Sequence, residues 1–167
     1  MEFREPCHLW IGNNLHLLVI LQNTKALAAD QGPKSWDDLL DPKWKGKIAF
    51  TDPANSGFSY AAATALLARW GDNEDAWKKL SALLANAKVL NRSTLVFDGN
   101  GSGEYPIGIS LEYAGFLWAH NGAPVKVNYP TDGTTALAEG AAVIKGAPNP
   151  KAARALIDYL ASQSTQE

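Results

Sequence analysis

Apolar residues along this chain gather into short compact runs separated by longer stretches of helical periodicity. Leu15–Leu21, Ile48–Phe50, Val89–Leu90, Tyr105–Ser110, Pro124–Tyr129 and Ala138–Ile144 have the length and β-branched content of strands. Phe58, Ala62, Ala65 and Leu66 share one stripe of a helix, which Gly71-Asp72-Asn73 ends while capping the next. In that second helix Trp77, Leu80, Leu83 and Leu84 form the apolar face. Glu74–Lys78 and Asp75–Lys79 are exposed i, i+4 pairs. Glu112–His120 reads as a helix with Phe116 and Leu117 inward. Asn149-Pro150 opens a last helix, Lys151–Ser162, burying Ala153, Leu156, Ile157 and Leu160. Asn91–Phe97 fits a short helix or an extended segment equally well, and Gly99–Gly103 reads as a flexible turn. Strands alternating with helices predict an α/β fold, a sheet with helices packed on its faces.

One segment is more specific than the rest. Ser35 can cap a helical turn, Trp36–Leu40, which Asp41-Pro42 closes, and a Lys45-Gly46 turn leads into the strand Ile48–Phe50. That strand runs through Asp52-Pro53-Ala54-Asn55-Ser56-Gly57 directly into an Ala-rich helix. A strand, a short Ser/Gly loop and a helix start make an anion-binding device. The first helical N–H groups lack internal partners, and the helix dipole favours negative charge there.

The string Trp36-Asp37-Asp38-Leu39-Leu40-Asp41-Pro42-Lys43-Trp44-Lys45-Gly46-Lys47-Ile48, followed by Asp52-Pro53 and Ser56-Gly57, resembles the periplasmic solute-binding proteins of ABC importers. The similarity is to the branch that binds ferric ions, phosphonates or sugar phosphates, and it covers roughly residues 13–167. The resemblance implies a periplasmic-binding-protein-like lobe, a mixed sheet flanked by helices, with hinge-crossing strands. Residues 1–12 then form a leader unlike the family. Residues 13–135 form the second lobe with one hinge strand, and 136–167 a return hinge strand and a remnant helix of the first lobe. Such proteins are about twice this length, so the chain is expected to be a truncated member.

The candidate site residues follow from the loops and from the resemblance together. Asn55, Ser56 and Gly57 would grip an oxyanion with hydroxyl and backbone N–H groups, or form an ordinary N-cap. Ser93 and Thr94 offer vicinal hydroxyls to phosphate or sugar oxygens, or serve as a cap. Glu112 and Tyr113 stand where the ferric branch carries paired tyrosines. The single tyrosine here weakens an iron reading, and Glu112 suits ligand hydroxyls or an amine. Thr131-Asp132-Gly133-Thr134 would close over the ligand from the hinge side, or form a polar turn with glycine at positive φ, the favoured reading, and Glu139 is a weaker candidate for facing the cleft.

Composition excludes several other functions. The formal net charge of −2 gives no electrostatic case for nucleic acid. Leu15–Leu21 is too short to span a bilayer, and no secretory signal is visible, although the family is periplasmic. Cys7, the single cysteine, cannot form an internal disulfide and reads as an inert thiol. His8, His16 and His120 are scattered without metal-ligand spacing, and no nucleophile motif is present, so neither metal, cofactor nor enzymatic activity is expected. Trp36, Trp44 and Trp77 fall on apolar stripes and read as core. The implied partners are a small anionic solute and the membrane subunits of an importer. The alternative is a stand-alone lobe acting as an oligomerising protein, a homodimer through exposed hinge surface, or an effector-sensing module.

Overall fold

The structure, a computed structural model, describes residues 10–166. The leader and thiol readings for Met1–Leu9 and Cys7 lie outside the described residues. In chain order the elements are β1 (Ile11–Asn23), β2 (Ile48–Thr51), α1 (Gly57–Arg69), α2 (Glu74–Asn86), β3 (Ala87–Leu90) and α3 (Ser93–Ser102). There follow β4 (Ile107–Leu111), α4 (Glu112–His120), β5 (Val125–Asn128), β6 (Ala136–Ala141), α5 (Pro150–Leu160) and α6 (Gln163–Gln166). Two short 3₁₀ turns, Asp37–Leu40 and Pro42–Trp44, precede β2. The chain divides into two compact units, Leu17–Thr135 and the remainder, each described separately below.

In the larger unit the sheet runs β3-β2-β4-β1-β5. β2 is parallel to both β3 and β4, whereas β1 is antiparallel to β4 and to β5. Alternation splits β1 between two cores. Leu18 and Ile20 join Ile48, Phe50, Ile107 and Ile109 on one face, under α1, α2, Trp36 and Trp44. Val19 and Leu21 pack with Val125 and Trp118 on the other. Each fully buried Leu, Ile or Phe contributes about 1.5–3 kcal/mol against solvent exposure.

Polar groups inside this unit are mostly tied to backbone. Buried Gln22 donates from Nε2 to the carbonyls of Leu27 and Ala28 and accepts from Asn128 Nδ2 at 2.9 Å. Asn86 Nδ2 donates to Leu39 and Asp41 carbonyls, fastening α2 to the 3₁₀ turns. Ser35 Oγ accepts from Asp38 N–H at 3.1 Å, as a turn cap should. The Thr131–Thr134 turn is structural. Gly133 has φ +95°, its carbonyl accepts from Trp36 Nε1, and the Asp132 carboxylate takes the Trp36 N–H and the Arg69 guanidinium.

Several expectations from the sequence need correction. Gly99–Gly103 is not a loose turn, because α3 runs through Ser102 and ends at left-handed Gly103. A Cβ at Gly99 would lie 2.5 Å from the Tyr105 ring, and one at Gly101 would lie 3.0 Å from Trp118. Those glycines permit close packing. Phe116 and Leu117 face outward, since the inward side of α4 is Ala114 and Gly115, pressed against Leu21 and Val127. Trp77 is likewise exposed, while Ala76 takes the buried position of that turn. Lys78 pairs with both Glu74 and Asp75, and Lys79 reaches Asp37 instead.

In the smaller unit β6 pairs with β1, and α5 begins at Pro150 behind the N-cap Asn149. No residue of α5 is buried. Ala153, Ile157 and Leu160 are half-covered and Leu156 is exposed, so the expected buried stripe is only partly covered among the described residues. Glu139 pairs with His16 at 3.0 Å.

Candidate functional site

Because β2 lies parallel to β3 and β4, the carboxyl ends of these three strands share one edge of the sheet. Each strand then feeds a helix. β2 leads to α1 through Asp52–Ser56, β3 leads to α3 through Asn91-Arg92, and β4 passes directly into α4. Three helix starts therefore converge on one edge, the place where open α/β sheets bind ligands. Locally, a short strand of four or five residues ends within a few residues of each helix, and Ser56, Arg92 or Leu111 stands at the N-cap.

The Ser56 Oγ accepts from the Ser59 N–H at 3.3 Å and so caps α1. The same oxygen lies 3.2 Å from Ser93 Oγ, at the start of α3, and Thr51 Oγ1 is 3.4 Å from Ser93 Oγ. Thr51, Ser93 and Ser56 thus form a string of hydroxyls across two strand ends. The Gly57 and Phe58 N–H groups have no partner among the described residues, and a Cβ at Gly57 would meet nothing within 4 Å. α3 and α4 have no side-chain cap, leaving their first N–H groups equally open. Capping and anion grip are compatible here because one N–H is used and others remain.

Asn55 is bound into its loop, donating from Nδ2 to the Asp52 carboxylate at 2.8 Å. Thr94 is exposed beside Ser93 and makes no hydrogen bond to Ser56 among the described residues. Glu112 is half-buried and accepts a hydrogen bond from the Tyr129 hydroxyl, while Tyr113 is exposed. The Glu112 hydrogen bond, then burial, then its negative charge push the Tyr129 phenol above its ordinary pKa. The structure therefore brings Ser56 and Ser93 together and pairs Glu112 with Tyr129.

Three residues of this edge escaped the sequence reading besides Tyr129. Thr51 lies one residue beyond the strand expected from the sequence, Ile48–Phe50, and is the last residue of β2. Arg92 immediately precedes Ser93, is exposed, and forms no ion pair among the described residues. Ser110 is buried with an unpartnered Oγ, and alternation from Gly108 puts it on the α3 face of β4. Thr51 lies on that same face of β2, two residues beyond Ala49, whose register partner is Gly108. A hydroxyl at the end of each of two adjacent strands is a pattern that only the sheet order reveals. Among the described residues no group of three acidic, His or Cys side chains is arranged to hold a metal ion.

A mixed sheet flanked by helices, with helix starts gathered at the carboxyl ends of its parallel strands, is a fold of the periplasmic-binding-protein class. The chain matches the model of the bacterial extracellular solute-binding protein family over residues 1–167, and it belongs to that family. An uncharacterised protein of Haemophilus influenzae is 32% identical, with 99% of this chain and 50% of that protein aligned. The Fe(3+)-binding periplasmic protein of Serratia marcescens is 26% identical over 99% of this chain and 50% of its own length. The fructose-6-phosphate-bound periplasmic binding protein AfuA of Actinobacillus pleuropneumoniae superposes with TM-score 0.85 at 29% identity, covering 95% of this chain and 51% of AfuA. The chain spans about half the length of the curated relatives it matches.

Proposed function

We propose that this chain supplies the ligand-gripping lobe of the solute-binding component of an ABC importer, working in the periplasm and binding an oxyanion-bearing solute without covalent chemistry. Residues 13–135 act as that lobe with its hinge strand, and 136–167 as the return strand and helix. Ser56, Gly57 and Ser93 hold the oxyanion, with Thr94 and Asn55 at the rim, and Glu112 and Tyr113 address the rest of the solute. The observation that carries the reading is the meeting of two helix starts, those of α1 and α3, at the Ser56–Ser93 hydroxyl pair, 3.2 Å apart. The sugar-phosphate ligand named for AfuA and the ferric ion named for the Serratia protein define the solutes to test. Glu112 hydrogen-bonded to Tyr129 favours a hydroxylated solute over a bare ferric ion, because the phenol is kept neutral.

Calorimetric titration of the chain with inorganic phosphate, a hexose phosphate, an aminoalkylphosphonate and ferric citrate tests this. One phosphorylated solute should saturate, and Ser93→Ala should weaken it by about tenfold or more, as the loss of a charge-assisted hydrogen bond requires. Binding unchanged in both Ser56→Ala and Ser93→Ala would remove the site assignment. Silence across the whole panel would remove the anion reading for this chain. A homodimer, the remaining assembly to test, would reveal itself by concentration-dependent sedimentation.

A further inference from the structure

A second concavity, of about 420 Å³, lies between α1 and α2 in the larger unit. Its walls are Tyr60, Thr64 and Leu67 of α1, Asp72 of the connecting turn, and Trp77 and Leu80 of α2. Tyr60, Thr64 and Leu67 recur at helical spacing, so α1 presents this face in addition to the one buried around Ala62 and Leu66. Tyr60 and Trp77 are 63% and 55% exposed, unusual for two large aromatics lining one groove.

The position of Asp72 is what makes the groove selective. Asn73 is the N-cap of α2, so Asp72 stands at N′ and Trp77 at N4. A hydrophobic staple brings those two positions into contact, and here one of the pair is a carboxylate. The φ of +47° at Asp72 is explained by the end of α1, where the Asp72 N–H donates to the Leu67 carbonyl at 2.8 Å. Its carboxylate is not needed for that. The Asp72 carboxylate, the Trp77 Nε1–H and the Tyr60 hydroxyl have no partner among the described residues.

The net charge around the groove is negative. Asp72, Glu74 and Asp75 cluster at the start of α2, against Lys78, which pairs with Glu74 and Asp75 at 3.1 and 3.3 Å. Arg69 and Lys79 are committed elsewhere, to Asp132 and Asp37. With the helix dipole contributing about half a positive charge, roughly one and a half negative charges remain in excess.

We infer that this groove is a binding site for a small amphipathic cation, an ammonium group carried on an apolar body. The ammonium pairs with Asp72 and lies against the Trp77 indole face, which attracts cations through its quadrupole. Leu67, Leu80 and Tyr60 take the apolar body, in a volume ordinary for a small-molecule site. The site is separate from the Ser56–Ser93 edge and of opposite charge preference.

The test is calorimetric titration of the full chain with 2-phenylethylammonium, 2-phenylethanol and 3-phenylpropionate, which carry closely similar apolar bodies with a positive, neutral and negative end. The ammonium should saturate about tenfold more tightly than the alcohol, the factor expected for one partly exposed ion pair with aromatic support, and the carboxylate should not saturate. Asp72→Asn should reduce the ammonium to the level of the alcohol, and Trp77→Leu should weaken the ammonium more than the alcohol. Both side chains are exposed, so both variants should keep the parental urea midpoint. Amide chemical-shift changes should fall on α1 and α2. Equal binding of ammonium and alcohol, an Asp72→Asn variant that binds unchanged, absence of saturation, or shift changes centred on Ser56 and Ser93 would each overturn the assignment.

Discussion

Glu112 and Tyr129 come from the ends of β4 and β5, which are not neighbours in the sheet. Their hydrogen bond holds the Tyr129 phenol protonated beyond its usual range. A phenol with a raised folded-state pKa contributes stability that is complete below the unfolded value of about 10 and is lost as pH rises through the folded value. Absorbance titration of tyrosinate should therefore show Glu112→Gln lowering one high-pH ionisation, and Tyr129→Phe deleting it. The same high-pH transition in all three proteins would refute the pairing. Ser56 was legible as a cap, because a hydroxyl before an Ala-rich helix has few other uses. Tyr129 was not legible, since its partnership depends on two strands that flank β1 and on no sequence spacing.

At the scale of the element, the strands were legible to within a few residues because compact apolar runs have few alternatives. The helix α4 shows why facing was harder. Its bounds, Glu112–His120, match the sequence reading, yet its large residues Phe116 and Leu117 point away from the core. Size misleads wherever two layers approach closely, since the residue chosen for contact is then the smallest. Gly115 is that contact, and an added Cβ would lie 2.5 Å from both Leu21 Cδ2 and Val127 Cγ2. Gly115→Ala should cost about 1–3 kcal/mol by overpacking, read as a lower urea midpoint. Gly57→Ala, with open space around its Cβ, should be neutral or stabilise by up to about 1 kcal/mol. On the proposed reading it should nevertheless weaken anion binding, because the methyl group crowds the free N–H groups. Opposite signs in the two stabilities would support the packing account, and equal losses would refute it.

Across the whole molecule, order is distributed unevenly between the two units. Ile20, Leu21 and Gln22 of β1 are paired on both sides and buried, while α5 buries none of its residues. Amides that open only with global unfolding should sit in β1 and β4, and those of α5 should exchange at least roughly a hundredfold faster. Equal protection throughout would show one cooperative body. The class of fold was legible from alternation alone, and the family from one string around Trp36 to Gly57. The site assembly was not, because Thr51 meets Ser93, and Ser110 takes the same face as Thr51, only through the order β3-β2-β4.

The hydroxyl string at the strand ends has a consequence for how the protein would behave as its surroundings acidify. Thr51, Ser56, Ser93 and the open N–H groups carry no proton that leaves or arrives between about pH 5 and 9. A solute held by such donors would be captured with an affinity that follows only its own ionisation. Retention in a compartment of drifting acidity would then be set by the chemistry of the cargo, and the protein would act as a receptor with no pH threshold of its own.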